Sequence, residues 1–255
     1  MINALVVAAI ILQFVGYDIV LRLGRALRPS RAGQLTERIE KLAVGKIFTL
    51  LRTFCGFDLG FEDSSGSPLP GRFLLVANHQ SLLDIPVAMA LMPGHRLRFV
   101  AKKELGVGIP LVSAMLRNEG HALVRRKGDA AQAMATLARF ARRCRRDGSC
   151  PVVFPEGTRS RDGEVGTFHT AGVRRVLGEE ALPIVVAVMD GGWQVAKIGD
   201  IVRRMDGVRC RMRILATLPA PKGRKEVLAA MEEARALVVA ALGSMRAGGG
   251  SAPVH

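Results

Sequence analysis

Residues 77–84 read Ala77-Asn78-His79-Gln80-Ser81-Leu82-Leu83-Asp84, an imidazole and a carboxylate five positions apart. A carboxylate that accepts the Nδ1 proton of a histidine leaves Nε2 with a lone pair able to take a proton from a hydroxyl. Five positions along a continuous helix would set the two side chains about 140° apart around its axis. They meet only if His79 lies in a turn and Asp84 in the first turn of a helix. The competing reading of the same residues is local: Ser81 and Asp84 form an S-x-x-D capping box and His79 is incidental. A second group, Phe154-Pro155-Glu156-Gly157-Thr158-Arg159-Ser160, carries anion-binding chemistry. Gly permits close backbone approach, and Arg, Thr and Ser supply donors suited to phosphate. Standing alone, the same composition also describes an exposed turn.

The elements that must position these groups alternate along the chain. Strands are predicted near 57–61, 72–77, 97–101, 122–124, 152–154 and 184–188, with helices at 82–91, 110–116, 130–146 and 171–177 between them. A basic strand near 208–215 and a helix over 225–244 complete the pattern. Such alternation predicts an α/β sandwich with a mixed, largely parallel sheet flanked by helices. Both chemical groups then fall where a strand gives way to a turn. The Ser-, Pro- and Gly-rich residues 64–71 read as a tight connection and not as a domain linker.

Ahead of the first strand, residues 2–17 are apolar apart from Asn3 and Gln13, and Arg22, Arg25 and Arg28 follow at helical spacing. This run is short of the ~20 residues that span a bilayer core, which favours a helix dipping into one leaflet. The arginines would keep the rest of the chain on the cytoplasmic side. A buried N-terminal helix is the alternative. A second helix is predicted over 34–55, with Gly56 as its stop. The resulting division is a membrane-associating helical region over 1–56, a catalytic domain over 57–244, and a disordered tail over 245–255.

The 255 residues combine 49% hydrophobic content and a formal charge of +15 with a mean hydropathy of +0.23. Apolar phases and anions are the partners this implies, anionic membrane lipid among them. One Trp and one Tyr supply too few rings for single-stranded nucleic acid to stack on. Cys55, Cys144, Cys150 and Cys210 show neither CxxC nor metal-ligand spacing, so they read as buried thiols of a reducing compartment, and no metal is expected.

Taken in order, Asn78-His79-Gln80-Ser81 with Asp84, then Phe154 to Ser160 about seventy residues on, resemble the glycerolipid acyltransferase family, whose best-known members are lysophosphatidic acid acyltransferases. Lys102-Lys103-Glu104-Leu105 with Ile109-Pro110, Gly120 to Arg126, and Leu182-Pro183-Ile184 resemble further motifs of that family, so the likeness spans roughly residues 57–190. The resemblance implies that His79 is a general base and Asp84 its orienter, with acyl transfer proceeding directly and no acyl-enzyme. It places substrate-binding roles on Arg126, Glu156, Gly157, Thr158 and Arg159, with Lys102 beside them; Glu156 is the one expected to order its loop. It implies acyl-CoA or an acyl carrier protein as donor substrate, a lysophospholipid as acceptor, phosphatidic acid as product, and no further cofactor. Arg125, Val186 and the wider spacing of Phe168 from Gly172 depart from the family pattern on its acceptor side. Another lyso-lipid or hydroxyl acceptor therefore stays open, as does a basic protein that only binds membranes.

Overall fold

A computed structural model describes residues 1–125 and 129–248. The chain begins with two helices, α1 (Ile2–Leu27) and α2 (Ala32–Cys55). Strands β1 (Asp58–Asp63) and β2 (Leu74–Ala77) follow, then α3 (Asp84–Leu91), β3 (Leu97–Lys102), α4 (Val112–Asn118), β4 (Ala122–Val124), α5 (Ala130–Asp147) and β5 (Cys150–Val153). The chain continues through α6 (Thr170–Leu177), β6 (Ile184–Asp190), α7 (Ile198–Arg204), β7 (Arg209–Leu218) and α8 (Arg224–Gly248).

The strands form a seven-stranded sheet in the order β1-β7-β6-β2-β5-β3-β4. Every pairing is parallel except β6 with β7. The four central residues of β2 are wholly buried and alternate between faces. Leu75 and Ala77 join Phe48, Leu51, Val87 and Phe99 on the α2/α3 side. Leu74 and Val76 join Phe140, Val173, Ile184 and Met231 on the side covered by α5, α6 and α8. Strands covered on both faces read as continuous apolar runs, which is why 74–77 and 184–189 carry no polar residue. All four cysteines are free and buried.

Several element ends shift by two or three residues from the pattern in the sequence, and three differences are larger or new. α1 runs ten residues past the apolar stretch, because the arginines after Tyr17 keep helical spacing and nothing in 18–27 breaks the helix. α7 was not anticipated; its seven residues are too short to show a period. α8 continues to Gly248, four residues beyond its predicted end, and 249–255 lie outside the described residues.

α1 is apolar and long enough by composition to cross a membrane, with a mean hydropathy of 2.3 in its most apolar window and 17% of that window buried. Its two halves are tied to one body. Asn3 Nδ2 donates to Asp206 Oδ2 at 2.9 Å, and Leu111 N donates to Asp18 Oδ1 at 3.1 Å. These ties lie about 22 Å apart along the helix, so α1 lies along the flank of the fold. Leu111 has φ +60°, a conformation costing about 1–3 kcal/mol outside glycine; the Asp18 bond and burial against Leu21, Ile39 and Ala43 hold it.

Where α2 packs on the sheet, three ionisable groups are buried together. Arg98 on β3 binds the Glu119 carboxylate and lies 3.9 Å from Glu40 on α2, all three being buried. Burial pushes the Glu40 carboxyl up to about 7; Arg98 opposes the rise, Glu119 and Glu37 add to it, and Arg96 opposes it. The folded state therefore holds a proton that the unfolded state gives up near pH 4.5. Stability from this group is present below that value and is lost as pH rises through 7. Glu40→Gln is expected to exceed the wild type in stability at pH 8 by on the order of 1–3 kcal/mol. In urea titrations the gap should close as pH falls to 5.

Candidate active site

β2 ends at Ala77 and α3 begins at Asp84, so residues 78–83 form a turn at the carboxyl end of the central strand. Asn78 is locked into it as a surrogate strand residue: its Nδ2 donates to Met189 O at 2.8 Å, and Met189 N donates to its Oδ1 at 2.7 Å. Ser81 Oγ donates to Val195 O at 2.9 Å. Gly192 closes against this turn, and a Cβ there would lie 3.0 Å from Ser81 Cβ and 3.1 Å from Asp84 Oδ1.

Within the turn His79 Nδ1 lies 2.8 Å from Asp84 Oδ2. The same oxygen accepts from Gln80 N at 2.6 Å and from Ser81 N at 2.9 Å. The capping box of the local reading does not form, since Leu83 is the N-cap of α3 and Ser81 Oγ does not reach Asp84 N, but the Ser81 N–H and the His79 ring share a single carboxylate oxygen. An ionised carboxylate has only lone pairs to offer, which fixes the His79 proton on Nδ1 and leaves Nε2 as a base. The His79 ring stacks on Phe154 at 4.3 Å and 12°. Asp84 is 3% exposed, whereas the His79 side chain keeps 13% of its surface open.

The second group folds back onto the first. Glu156 Oε1 accepts from His79 N at 2.8 Å and its Oε2 from Gly166 N at 3.0 Å. Burial leaves the Glu156 carboxyl pKa raised; these two amides and the nearby His79 oppose the rise, and Asp84 adds to it. Both oxygens are thus engaged by backbone. Gly157 turns the chain with φ +65°, and Ser160 N donates to His79 O at 2.7 Å. Gly157 and Thr158 are exposed beside His79, and Arg159 is half-buried with one guanidinium nitrogen on Ala196 O. Lys102 is half-buried at the end of β3, two strands from His79. Arg126 lies outside the described residues.

The motifs gave no sign of the part played by α8. Arg246 reaches from its last turn to Asp190 Oδ1 at 3.1 Å, Glu164 Oε1 at 2.8 Å and Gly163 O at 2.9 Å, and lies 6.0 Å from the centre of the Trp193 ring. Arg235, three turns earlier, donates to Gly166 O at 2.9 Å. Gln80 Nε2 donates to the same Gly163 O at 3.2 Å. Gly163 has φ +84°, and a Cβ on it would lie 2.6 Å from Arg246 and 2.8 Å from Trp193. Only the fold could join these residues, because 56 positions separate Asp190 from Arg246.

The family model described as Acyltransferase matches residues 61–190, the segment that holds both groups. The chain belongs to this acyltransferase family. Among curated relatives, the 1-acyl-sn-glycerol-3-phosphate acyltransferase alpha of Ovis aries is 30% identical over 152 residues, 58% of this chain and 49% of its own length. The 1-acyl-sn-glycerol-3-phosphate acyltransferase of Helicobacter pylori is 37% identical over 99 residues, 39% of this chain and 40% of its own. The matched segments thus span half or less of these relatives. A solved structure, the 1-acyl-sn-glycerophosphate (LPA) acyltransferase PlsC from Thermotoga maritima, superposes with a TM-score of 0.68 at 24% identity, covering 94% of this chain and 96% of that one. The latter likeness establishes the fold of this acyltransferase family member nearly end to end.

Arg246→Gln removes several charge-assisted hydrogen bonds and is expected to cost about 1–3 kcal/mol. Hydrogen exchange should show the amides of 163–166 opening before the rest of the sheet.

Proposed function

We propose that this acyltransferase moves a fatty acyl group from the thioester of CoA or an acyl carrier protein to the free hydroxyl of lysophosphatidic acid, giving phosphatidic acid, at a bilayer surface. The observation that carries the reading is the His79–Asp84 contact, with Nε2 as the free base at the mouth of a family-matched segment. Relatives named as 1-acyl-sn-glycerol-3-phosphate acyltransferases support the choice of acceptor.

In this reading His79 Nε2 takes the acceptor hydroxyl proton as that oxygen attacks the thioester carbonyl carbon. Asp84 steadies the imidazolium so formed. The tetrahedral intermediate collapses with cleavage of the C–S bond, and the proton on Nε2 passes to the departing thiolate. The ester is the product and His79 returns to its starting state, with no acyl-enzyme between. Arg159, Thr158, Gly157, Arg126 and Lys102 supply donors for the acceptor phosphate. Glu156 holds the loop against His79 through its two backbone bonds.

The membrane contact is assigned to α1. Ile2, Leu5, Ile11, Leu12, Leu23 and Leu27 are more than half exposed along it, and Phe54 on α2 is likewise. Because Asn3 and Asp18 both bind the rest of the fold, a helix that crossed the bilayer would have to break one of those ties. Lying in one leaflet keeps both, with the active site on the cytoplasmic face.

Thiol release from palmitoyl-CoA or palmitoyl-carrier protein should depend on added lysophosphatidic acid. It should fall about 10²- to 10⁴-fold in His79→Ala, the range that general-base assistance supplies. Release that ignores the acceptor, or survives in the variant, refutes the reading; a panel of other lyso-lipids tests the acceptor. Separately, Leu5→Asp with Leu12→Asp should shift the protein from the vesicle to the supernatant fraction in flotation while leaving its melting transition in detergent in place.

A further inference from the structure

A groove of about 510 Å³ runs beside β4, the edge strand, between α4 and α5. It lies apart from His79. Among the described residues its charged lining is Lys103, Arg117, Arg125, Arg139 and Arg143 against Asp129, and the Asp129 carboxylate already caps α5 through Ala131 N. Lys103, Arg125 and Arg139 make no ion pair among the described residues. Arg143 is held in place: it donates to Asn118 O at 2.9 Å, pairs with Asp147 at 3.3 Å, and lies over Gly120, whose Cβ would be 2.2 Å from its Nε. Positive charge that outnumbers the carboxylates beside it favours an anion in the groove.

Strand register sets where that anion would lie. Val76 pairs with Val153, Phe99 with Val152, and Lys102 with Val124, so residues 103 and 125 are level with His79 across the sheet. β2 and β4 are separated by β5 and β3, three strand spacings or about 14 Å. The mouth of the groove and the His79 turn therefore share the carboxyl edge of one sheet. A molecule with a polyanionic end in the groove and a linear arm along that edge would bring its far terminus to His79.

We infer that this groove takes the 3′-phosphorylated adenosine diphosphate end of acyl-CoA, with the pantetheine arm crossing the ends of β3 and β5. The inference rests on the acyl-transfer reading and selects CoA between the two thioester donors. The groove is concave and sized for one small ligand, within the roughly 300–1,000 Å³ usual for such sites. A carrier protein would need a docking surface of about 800 Å². The anchoring is by charge alone, so no bond is made or broken in the groove.

The test uses Lys103→Ala with Arg139→Ala in the full chain, two exposed side chains of the groove that carry no part of the acyl-transfer site. With palmitoyl-CoA the donor KM should rise at least tenfold, while kcat and the lysophosphatidic acid KM stay within twofold. With palmitoyl-pantetheine, which lacks the nucleotide, wild type and variant should be alike. An unchanged palmitoyl-CoA KM, or equal losses with both donors, overturns the inference. A variant defect confined to palmitoyl-carrier protein overturns it in favour of a protein partner. Calorimetry with adenosine 3′,5′-bisphosphate separates this from the function itself. Binding weakened tenfold in the variant supports the groove even if no acyl transfer is found. Absence of binding alongside normal acyl transfer from CoA removes the groove and leaves the function. Equal competition by inorganic phosphate or lysophosphatidic acid would make the groove a general anion site and overturn the inference.

Discussion

A single carboxylate oxygen organises the centre of this molecule. Asp84 Oδ2 receives the His79 imidazole and the amides of Gln80 and Ser81, all within 2.9 Å. Three donors converge on one acceptor only if the chain leaves β2, reverses in a tight turn and starts a helix at once. The neighbours enforce that path: Asn78 extends the ladder to Met189, Ser81 binds Val195, and Gly192 leaves room for the turn. A buried carboxylate without such donors would cost several kcal/mol, so the turn and the charge stabilise each other. His79 is thereby held by its Nδ1 side and by stacking on Phe154, leaving one face and one nitrogen for chemistry.

The loop after β5 depends on that turn in its own right. Glu156 and Ser160 each bond to the backbone of His79, one through its N–H and the other at its carbonyl. A displacement of the loop would therefore displace the imidazole. On the far side α8 holds the same loop through Arg235 and Arg246, so a helix outside the family-matched segment braces the part of the site that would receive an anion. Rigid elements on three sides suit a site whose donors must be in place before charge develops.

The helical pair at the front of the chain is joined to the sheet by different means. α1 is tied by two neutral-to-carboxylate hydrogen bonds, while α2 packs on the sheet with Glu40 buried beside Arg98 and Glu119 at the edge opposite β1. The apolar residues of α1 that do not face the fold stay exposed, an arrangement that water disfavours and a lipid surface would relieve. Basic residues on α5 and around β4 give the other side of the molecule a polar character.

Much of the architecture was legible in the sequence, because hydrophobic runs of strand length between helical periods admit few arrangements. β4 matches its predicted ends, and α5 and α6 differ by a single residue. The pairing of His79 with Asp84 was also legible, since five positions across a strand-to-helix junction give one way for them to meet. What the sequence left open has a common cause: it depended on residues far apart along the chain. The antiparallel turn of β7 onto β6, the grip of Arg246 on Gly163, and the charge-lined groove level with His79 are set by strand order and register. Local pattern fixes which face of a strand or helix is apolar. Only packing decides which distant side chain meets it, and so where unpaired charge is left for a ligand.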